Sequence, residues 1–168
     1  MKLEEFFVFY YKVLFYLCVV NTKKMFSKTC EYAIRAVMFI AQKSKDGGRV
    51  GIKEIAKGID SPEHFIAKIL QDLCKRGLVQ SLKGPNGGFY LDDENLKYSL
   101  ADVVKAVDGD KIFSGCGLGL KECSESQPCP IHQEFKKVRK DIYLMLERAK
   151  LGKFNDELEK NLSFLKRV

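Results

Sequence analysis

Residues 61–90 read SPEHFIAKILQDLCKRGLVQSLKGPNGGFY, and this stretch decides the fold. Ser61-Pro62-Glu63 has the chemistry of a helix start. Ser61 can cap, Pro62 suits the first turn with its fixed φ, and Glu63 faces the positive end of the dipole. Phe65, Ile66, Ile69, Leu70 and Leu73 recur at three-and-four spacing, which predicts a buried stripe on a helix running to about Arg76. Gly77 stops it. His64, Ala67, Lys68, Gln71 and Lys75 are left for the outer side. Leu78 to Lys83 then reads as an extended run, Gly84-Pro85-Asn86-Gly87-Gly88 as a turn, and Phe89 to Leu91 as a returning strand.

Upstream, Tyr32, Ala33, Ala36, Val37, Ile40 and Ala41 predict a helix from about Ser27 to Lys43. Lys45-Asp46-Gly47-Gly48 is a turn, Arg49-Val50-Gly51 a brief strand, and Ile52 to Ile59 a short helix with Ile55 and Ala56 inward. A short helix, a tight break, a second helix with a polar outer side and a Gly-rich hairpin follow the order of a winged helix-turn-helix. Residues 25–109 would form that domain. The competing possibility is an ordinary small α+β domain whose helix surface is merely solvated. In the winged reading, Ser61, Pro62, Glu63, His64, Lys68 and Lys75 face double-stranded DNA, with Lys83, Gly84, Pro85, Asn86, Gly87 and Gly88 at the wing tip. His64 can equally be a solvated surface residue. The formal charge of +7 suits a polyanion or an anionic membrane surface without deciding between them.

Downstream, Ser99-Leu100-Ala101-Asp102 has the pattern of a capping box, and Val103, Val104 and Val107 give its helix an apolar side. Asp108-Gly109-Asp110 ends it. Residues 110–130 form a loop with Cys116, Cys123 and Cys129, and His132 follows three residues after the last. Gaps of six and five residues fit no helix face and no strand alternation, so the loop can wrap its thiols around one point. Thiolates are soft ligands, which leaves three readings: an iron–sulfur cluster, zinc in a Cys3His site, or three unrelated thiols. Zinc loops usually show closer cysteine pairs. Cys30 and Cys74 fall on predicted helices as small packing residues. Six cysteines in a chain with ample apolar segments point to a reducing cytoplasm rather than a disulfide scaffold.

From Pro130 onward, Ile131, Phe135, Val138, Ile142, Met145 and Ala149 alternate by four and three, an a/d seam of almost three heptads. Residues 131–168 are therefore read as a long helix that pairs with its twin, broken at Gly152, and a short helix from Asn155 to Leu165. The alternative is a core helix within one subunit. No Ser/His/Asp arrangement, phosphate-binding Gly-Lys loop or paired carboxylates point to an enzyme. Residues 1–24 differ from the rest. Phe6 to Val20 is apolar and aromatic, short of the roughly 20 residues that span a bilayer, and Glu4 and Glu5 make a poor signal peptide. Met25 is read as the natural start and the leader as an over-extended frame; a membrane-surface anchor or an extra helix are the alternatives.

These residues carry a family likeness. Glu31-Tyr32-Ala33-Ile34-Arg35-Ala36, Ile52-Lys53-Glu54-Ile55-Ala56, Gly77-Leu78-Val79, Lys83 to Phe89, Leu100 to Val104, Ala106-Val107-Asp108 and the three-cysteine loop together resemble the IscR/NsrR-type winged-helix transcription regulators. The resemblance implies a mainly α fold with a small β-wing and a long C-terminal dimerisation helix. It implies a cytoplasmic homodimer on palindromic promoter DNA, acting as a repressor that senses iron–sulfur status, nitric oxide or redox state. It implies an iron–sulfur cluster, 2Fe–2S or 4Fe–4S, on Cys116, Cys123 and Cys129. His132 stands where the cluster-assembly regulators place a fourth ligand, and Glu31 where nitric-oxide-sensing members place an acidic ligand from the partner subunit. Six residues separate the first cysteine pair where several members have five, and Ala67 replaces a glutamate that tunes DNA choice in the assembly regulator. A regulator using zinc or free thiols without a cluster is the alternative.

Overall fold

The computed structural model describes residues 25–45, 47–153 and 165. The leader 1–24, with Cys18, and the short helix expected over 155–165 lie outside the described residues but for Leu165.

Helix α1 is Lys28–Ser44, α2 is Ile52–Gly58 and α3 is Glu63–Lys75. Strands β1 (Gln80–Leu82) and β2 (Gly88–Tyr90) pair antiparallel, with Gln80 opposite Tyr90, Ser81 opposite Phe89 and Leu82 opposite Gly88. Helices α4 (Leu100–Asp108), α5 (Lys111–Ser114) and α6 (His132–Arg148) follow, with single 3₁₀ turns at Asn95–Lys97 and Leu151–Lys153. The architecture is mainly helical with one small wing, as the sequence predicts.

The core forms where the apolar stripes of α1, α2, α3 and α4 meet. Val37, Ile40, Ile55, Ile66, Leu70, Val103 and Val104 are fully enclosed. Each such side chain contributes about 1.5–3 kcal/mol, far more than a surface ion pair. Tyr32 of α1 meets the edge of Phe65 of α3 at 5.4 Å between ring centroids. Arg35 stacks on the same Tyr32 ring and donates to the Ile59 carbonyl at 2.8 Å. This fixes the break before α3, where Asp60 adopts a left-handed φ of 51°.

Ser61 does not cap α3. Pro62 takes the N-cap position instead of the first turn, in extended backbone, and no side chain caps the helix. The fixed φ of proline fits either place, and here the Pro62 carbonyl accepts from the Phe65 and Ile66 N–H groups. That leaves Ser61 outside the helix, its N–H donating to the Ala56 carbonyl and its hydroxyl buried without a hydrogen-bond partner. The expected strand at Arg49-Val50-Gly51 contracts to one bridge between Val50 and Phe89. Gly88 (φ 152°) lies against the Val50 backbone so closely that a Cβ there would sit 2.9 Å from the Val50 carbonyl oxygen.

Helix α4 carries the expected capping box: the Asp102 N–H donates to Ser99 Oγ, and the Ser99 N–H donates to the Asp102 carboxylate. Ser99 Oγ also reaches Glu147 of α6 at 3.1 Å. Helix α6 ends at Arg148, before Gly152, because the chain there pairs with α4's entry. The Leu100 N–H donates to the Ala149 carbonyl and the Leu151 N–H to the Tyr98 carbonyl.

The apolar stripe of α6 is not one seam. Phe135 and Ile142 are half-buried and Leu146 is buried on the face toward α4 and α5, whereas Val138 and Met145 are exposed. Ile131 precedes the helix and is exposed too. The chain's own helices cover one edge of the a/d pattern and leave the other open.

Ser99 is fully buried and holds two helix ends together, so Ser99→Ala should lower the unfolding free energy by about 1–2 kcal/mol in urea melts. A change within error would show that the cap contributes nothing.

Candidate metal centre and nucleic-acid interface

The cysteine loop leaves α5 at Ser114 and returns to α6 at His132. At its start the Leu118 and Leu120 N–H groups lie near the Cys116 thiol, and the Gly119 N–H donates to the Cys116 carbonyl at 3.0 Å. The Leu118 N–H, then that of Leu120, lowers the Cys116 pKa, aided by a hydrogen bond with Cys129 and by the Gly119 N–H. N–H groups near a sulfur favour its anionic form, the thiolate. Gly119 makes the turn possible with a φ of 74°.

Later in the loop, the Cys123 thiol lies 3.3 Å from His132 Nδ1. His132 is 3% exposed. Its Nε2 stands 3.3 Å from Glu125 Oε2, without the alignment of a hydrogen bond, and so is buried without a bonded partner. Glu125 in turn pairs with Lys136 at 2.6 Å, and that ammonium holds its carboxyl below the usual range. Cys116 is thus brought to Cys129, and Cys123 to His132. All three loop cysteines are free thiols at intermediate exposure, and Cys116 and Cys123 border an open hollow of about 650 Å³. Among the described residues no three side chains are drawn together closely enough to hold an ion.

The donor set nevertheless fits a thiolate-held metal group. One thiol has its pKa lowered by neighbouring N–H groups, a buried imidazole nitrogen has no bonded partner, and the loop borders an open hollow. Glu31 lies in the first turn of α1, with Lys28 Nζ 3.0 Å from its carboxylate.

The loop is fastened to α6 by two residues that sequence reading places among its solvated and seam positions. Arg139, flanking in the heptad pattern, is 7% exposed and donates through Nη1 to the carbonyls of Ser114, at 3.1 Å, and Gly115. Phe135 presents its ring to Gly117, where a Cβ would come within 2.9 Å of three ring atoms. No periodicity reveals either role; burial of a charged residue is a tertiary outcome.

On α3, His64, Lys68, Gln71 and Lys75 are exposed as predicted, and Ala67 is half-buried. Pro62, Glu63, Lys83, Gly84, Pro85 and Asn86 are exposed, with Ser61, Gly87 and Gly88 partly covered. Gln71, Cys74 and Lys75 of α3 and Ser81, Leu82 and Lys83 of the wing border one hollow of about 620 Å³. The structure therefore brings Lys75 and Lys83 to one concave surface. Lys68 borders a different cleft of about 230 Å³, with Thr29, Asp72 and Arg76. Arg49, beside the wing, stacks over Tyr90 at 5.5 Å and adds a cation that sequence reading passed over.

A recognition-type helix beside a Gly-rich wing defines a helix-turn-helix regulator. The sequence profile described as "Rrf2: Iron-dependent Transcriptional regulator" matches residues 26–157, and the chain belongs to that family. A relative from Aquifex aeolicus, named only as an HTH-type transcriptional regulator, is 35% identical over 120 residues, covering 70% of this chain and 82% of its own. In fold the chain is similar to T. potens IscR (TM-score 0.64, 22% identity, covering 86% of this chain and 94% of that one). It is also similar to CymR, the global cysteine regulator of B. subtilis (TM-score 0.63, 21% identity, 77% and 95%). The protein is accordingly a transcriptional regulator and not an enzyme. No helix among the described residues is long and apolar enough to cross a membrane.

Burial separates the other thiols from the loop. It pushes the Cys30 thiol up to about 12, with the Asp108 carboxylate adding to the shift, and it raises Cys74 against an opposing Ser81 hydrogen bond. Iodoacetamide at about pH 8 should label the loop cysteines of the folded, metal-free chain and spare Cys30 until denaturant is added. Between the ordinary value of 9.0 and about 12 the unfolded chain releases the Cys30 proton while the folded chain keeps it. Stability should therefore fall with pH across that window, and Cys30→Ala should remove that part of the slope. Early labelling of Cys30 at neutral pH would contradict its burial.

Proposed function

We propose that this chain is a cytoplasmic, homodimeric repressor that binds promoter DNA and senses iron–sulfur or redox status through Cys116, Cys123 and Cys129. The observation that carries the reading is a three-thiol loop that closes on the buried His132, with Cys123 3.3 Å from its Nδ1 and Cys116 beside N–H groups that favour its thiolate. The family description as iron-dependent supports it. An iron–sulfur cluster, 2Fe–2S or 4Fe–4S, would supply a redox-active, nitric-oxide-reactive group at this loop. Cys116, Cys123 and Cys129 would hold it, with His132 as the nearer fourth ligand and Glu31 of the partner subunit as the other.

The chain's own residues do the rest. The outward side of α3 enters the major groove, with Gln71 and His64 placed for base edges and Lys75 for phosphate. Lys83 and the turn from Gly84 to Gly88 approach the neighbouring backbone. The exposed Ile131, Val138 and Met145 repeat every seven residues and form the face that meets a second copy. The winged domain as residues 25–109, the loop as 110–130 and the pairing helix from 131 follow from this reading.

A second reading has its own observation. Cys116 lies beside Cys129 and Cys123 approaches His132, so the thiols are also arranged two by two for direct oxidation or for zinc. Visible absorption and Mössbauer spectra of anaerobically prepared protein separate the readings. A brown protein with bound iron and sulfide is expected, changed in spectrum by His132→Ala if the histidine is the fourth ligand and by Glu31→Ala if the acid is. A colourless protein carrying zinc or no metal would leave the thiol reading.

For DNA, Lys83→Ala should weaken binding to all sequences alike and reduce the log–log salt slope by about 1. Gln71→Ala should instead relax preference at one or two base pairs, by about 1–3 kcal/mol per position. Binding that ignores salt would refute the interface.

A further inference from the structure

We infer that Arg139 is the positioning residue through which the state of the cysteine loop reaches helix α6, and so the spacing of two DNA-binding heads. The inference rests on the reading of the loop given above and names the residue that couples it to DNA.

Arg139 is 7% exposed, an unusual place for a guanidinium. Among the described residues its hydrogen-bond partners are backbone carbonyls rather than a carboxylate: Nη1 donates to Ser114 and Gly115, and Nε is buried with no partner at all. Its charge lies over the Phe135 ring at 5.5 Å. Phe135, one turn earlier on α6, supports Gly117. One cation and one ring on successive turns of α6 thus hold residues 114–117, the chain that leads into and out of Cys116.

A buried guanidinium tolerates loss of its acceptors poorly, because it keeps its desolvation cost and gains nothing in return. If the thiols close on a ligand or part from one, the 114–117 backbone must move. Then α6 either follows it or loses both carbonyls at once. Val138, adjacent to Arg139, is on the exposed face with Met145. A roll of α6 that preserves the inner bonds therefore changes the outer face that meets the second copy. Lys136, bonded to Glu125, holds the later half of the loop to the same turns, so both ends of the thiol segment act on one short length of helix.

The test uses the full chain, in anaerobic cluster-loaded and metal-free forms. Two variants attack the clamp from opposite sides: Arg139→Gln removes the cation, and Gly117→Ala drives a methyl group into the Phe135 ring while leaving Arg139 in place. In the metal-free chain, amide exchange at residues 114–117 should rise about tenfold in both, with exchange in α1 and α3 unchanged. Unchanged exchange at 114–117 overturns the clamp. In the loaded chain, iron and sulfide content and the visible spectrum should persist. The ratio of operator affinities between loaded and metal-free protein should fall from about tenfold or more to within about twofold. Arg139→Lys, too short and without the planar fork, should restore only part of the ratio. A variant that keeps the wild-type ratio, folded and loaded, overturns the coupling. A wild-type ratio of one would defeat the switching idea itself and the coupling with it. The exchange result would show separately whether the clamp exists.

Discussion

The bond between Ser27 and Asp108 sets the frame on which the other elements hang. The Ser27 N–H donates to the Asp108 carboxylate at 2.8 Å and the Ser27 hydroxyl does so at 2.5 Å, while the same hydroxyl accepts from the Cys30 N–H. Asp108 ends α4, where its charge opposes that helix's own dipole, but it lies at the start of α1, where the dipole favours it. The carboxylate thereby joins two helix ends 81 residues apart in sequence. Helix α4 is pinned at its other end as well, through Ser99 to Asp102 and Glu147. A helix fixed at both ends behaves as a strut. It carries the position of the α1 and α3 core directly to Gly109, where the chain enters the cysteine loop.

That framework explains which parts were legible in the sequence. The stripe of α3, the Gly-rich wing and the Ser99 capping box are local patterns, and each is found where the residues place it. Ser61 was legible as a helix-start residue but not its register, because Pro62 is equally content one position earlier. The α6 seam was legible as apolar periodicity. Its division was not, since residues three and four apart lie about 60° to one side and about 40° to the other of one line, and only the position of α4 and α5 decides which edge is covered. Arg139 falls in the same class: in the sequence it is one of several flanking cations, and its burial depends on carbonyls 24 and 25 residues earlier.

The thiols show the same division between composition and placement. Cys30 and Cys74 sit in apolar surroundings that keep their protons on, whereas Cys116 sits among N–H groups that draw the proton off. Spacing alone marked the loop cysteines as a set. What the spacing could not supply was the turn at Gly119, whose φ of 74° accompanies an N–H that returns to the Cys116 carbonyl and leaves the Leu118 and Leu120 N–H groups near the sulfur. The leucines on either side are more than half exposed, which no core requirement explains.

Helix α6 therefore has two audiences, and its amino-acid order serves both. Toward the interior, Phe135, Arg139, Ile142 and Leu146 step by four, three and four along one stripe, the spacing of a helix packed within its own domain. Toward the exterior, the exposed Ile131 just before the helix, Val138 and Met145 step by seven. The inner stripe fixes the cysteine loop at one end and, through Glu147 and Ser99, the strut of α4 at the other. A rigid helix cannot rotate for one set of neighbours and stay still for the other. Any change at the thiols that turns the inner stripe must turn the outer one, and any second copy seated on Val138 and Met145 must resist it. The loop, the exposed outer face and the strut of α4 are in that sense a single mechanical unit, joined through one helix of 17 residues.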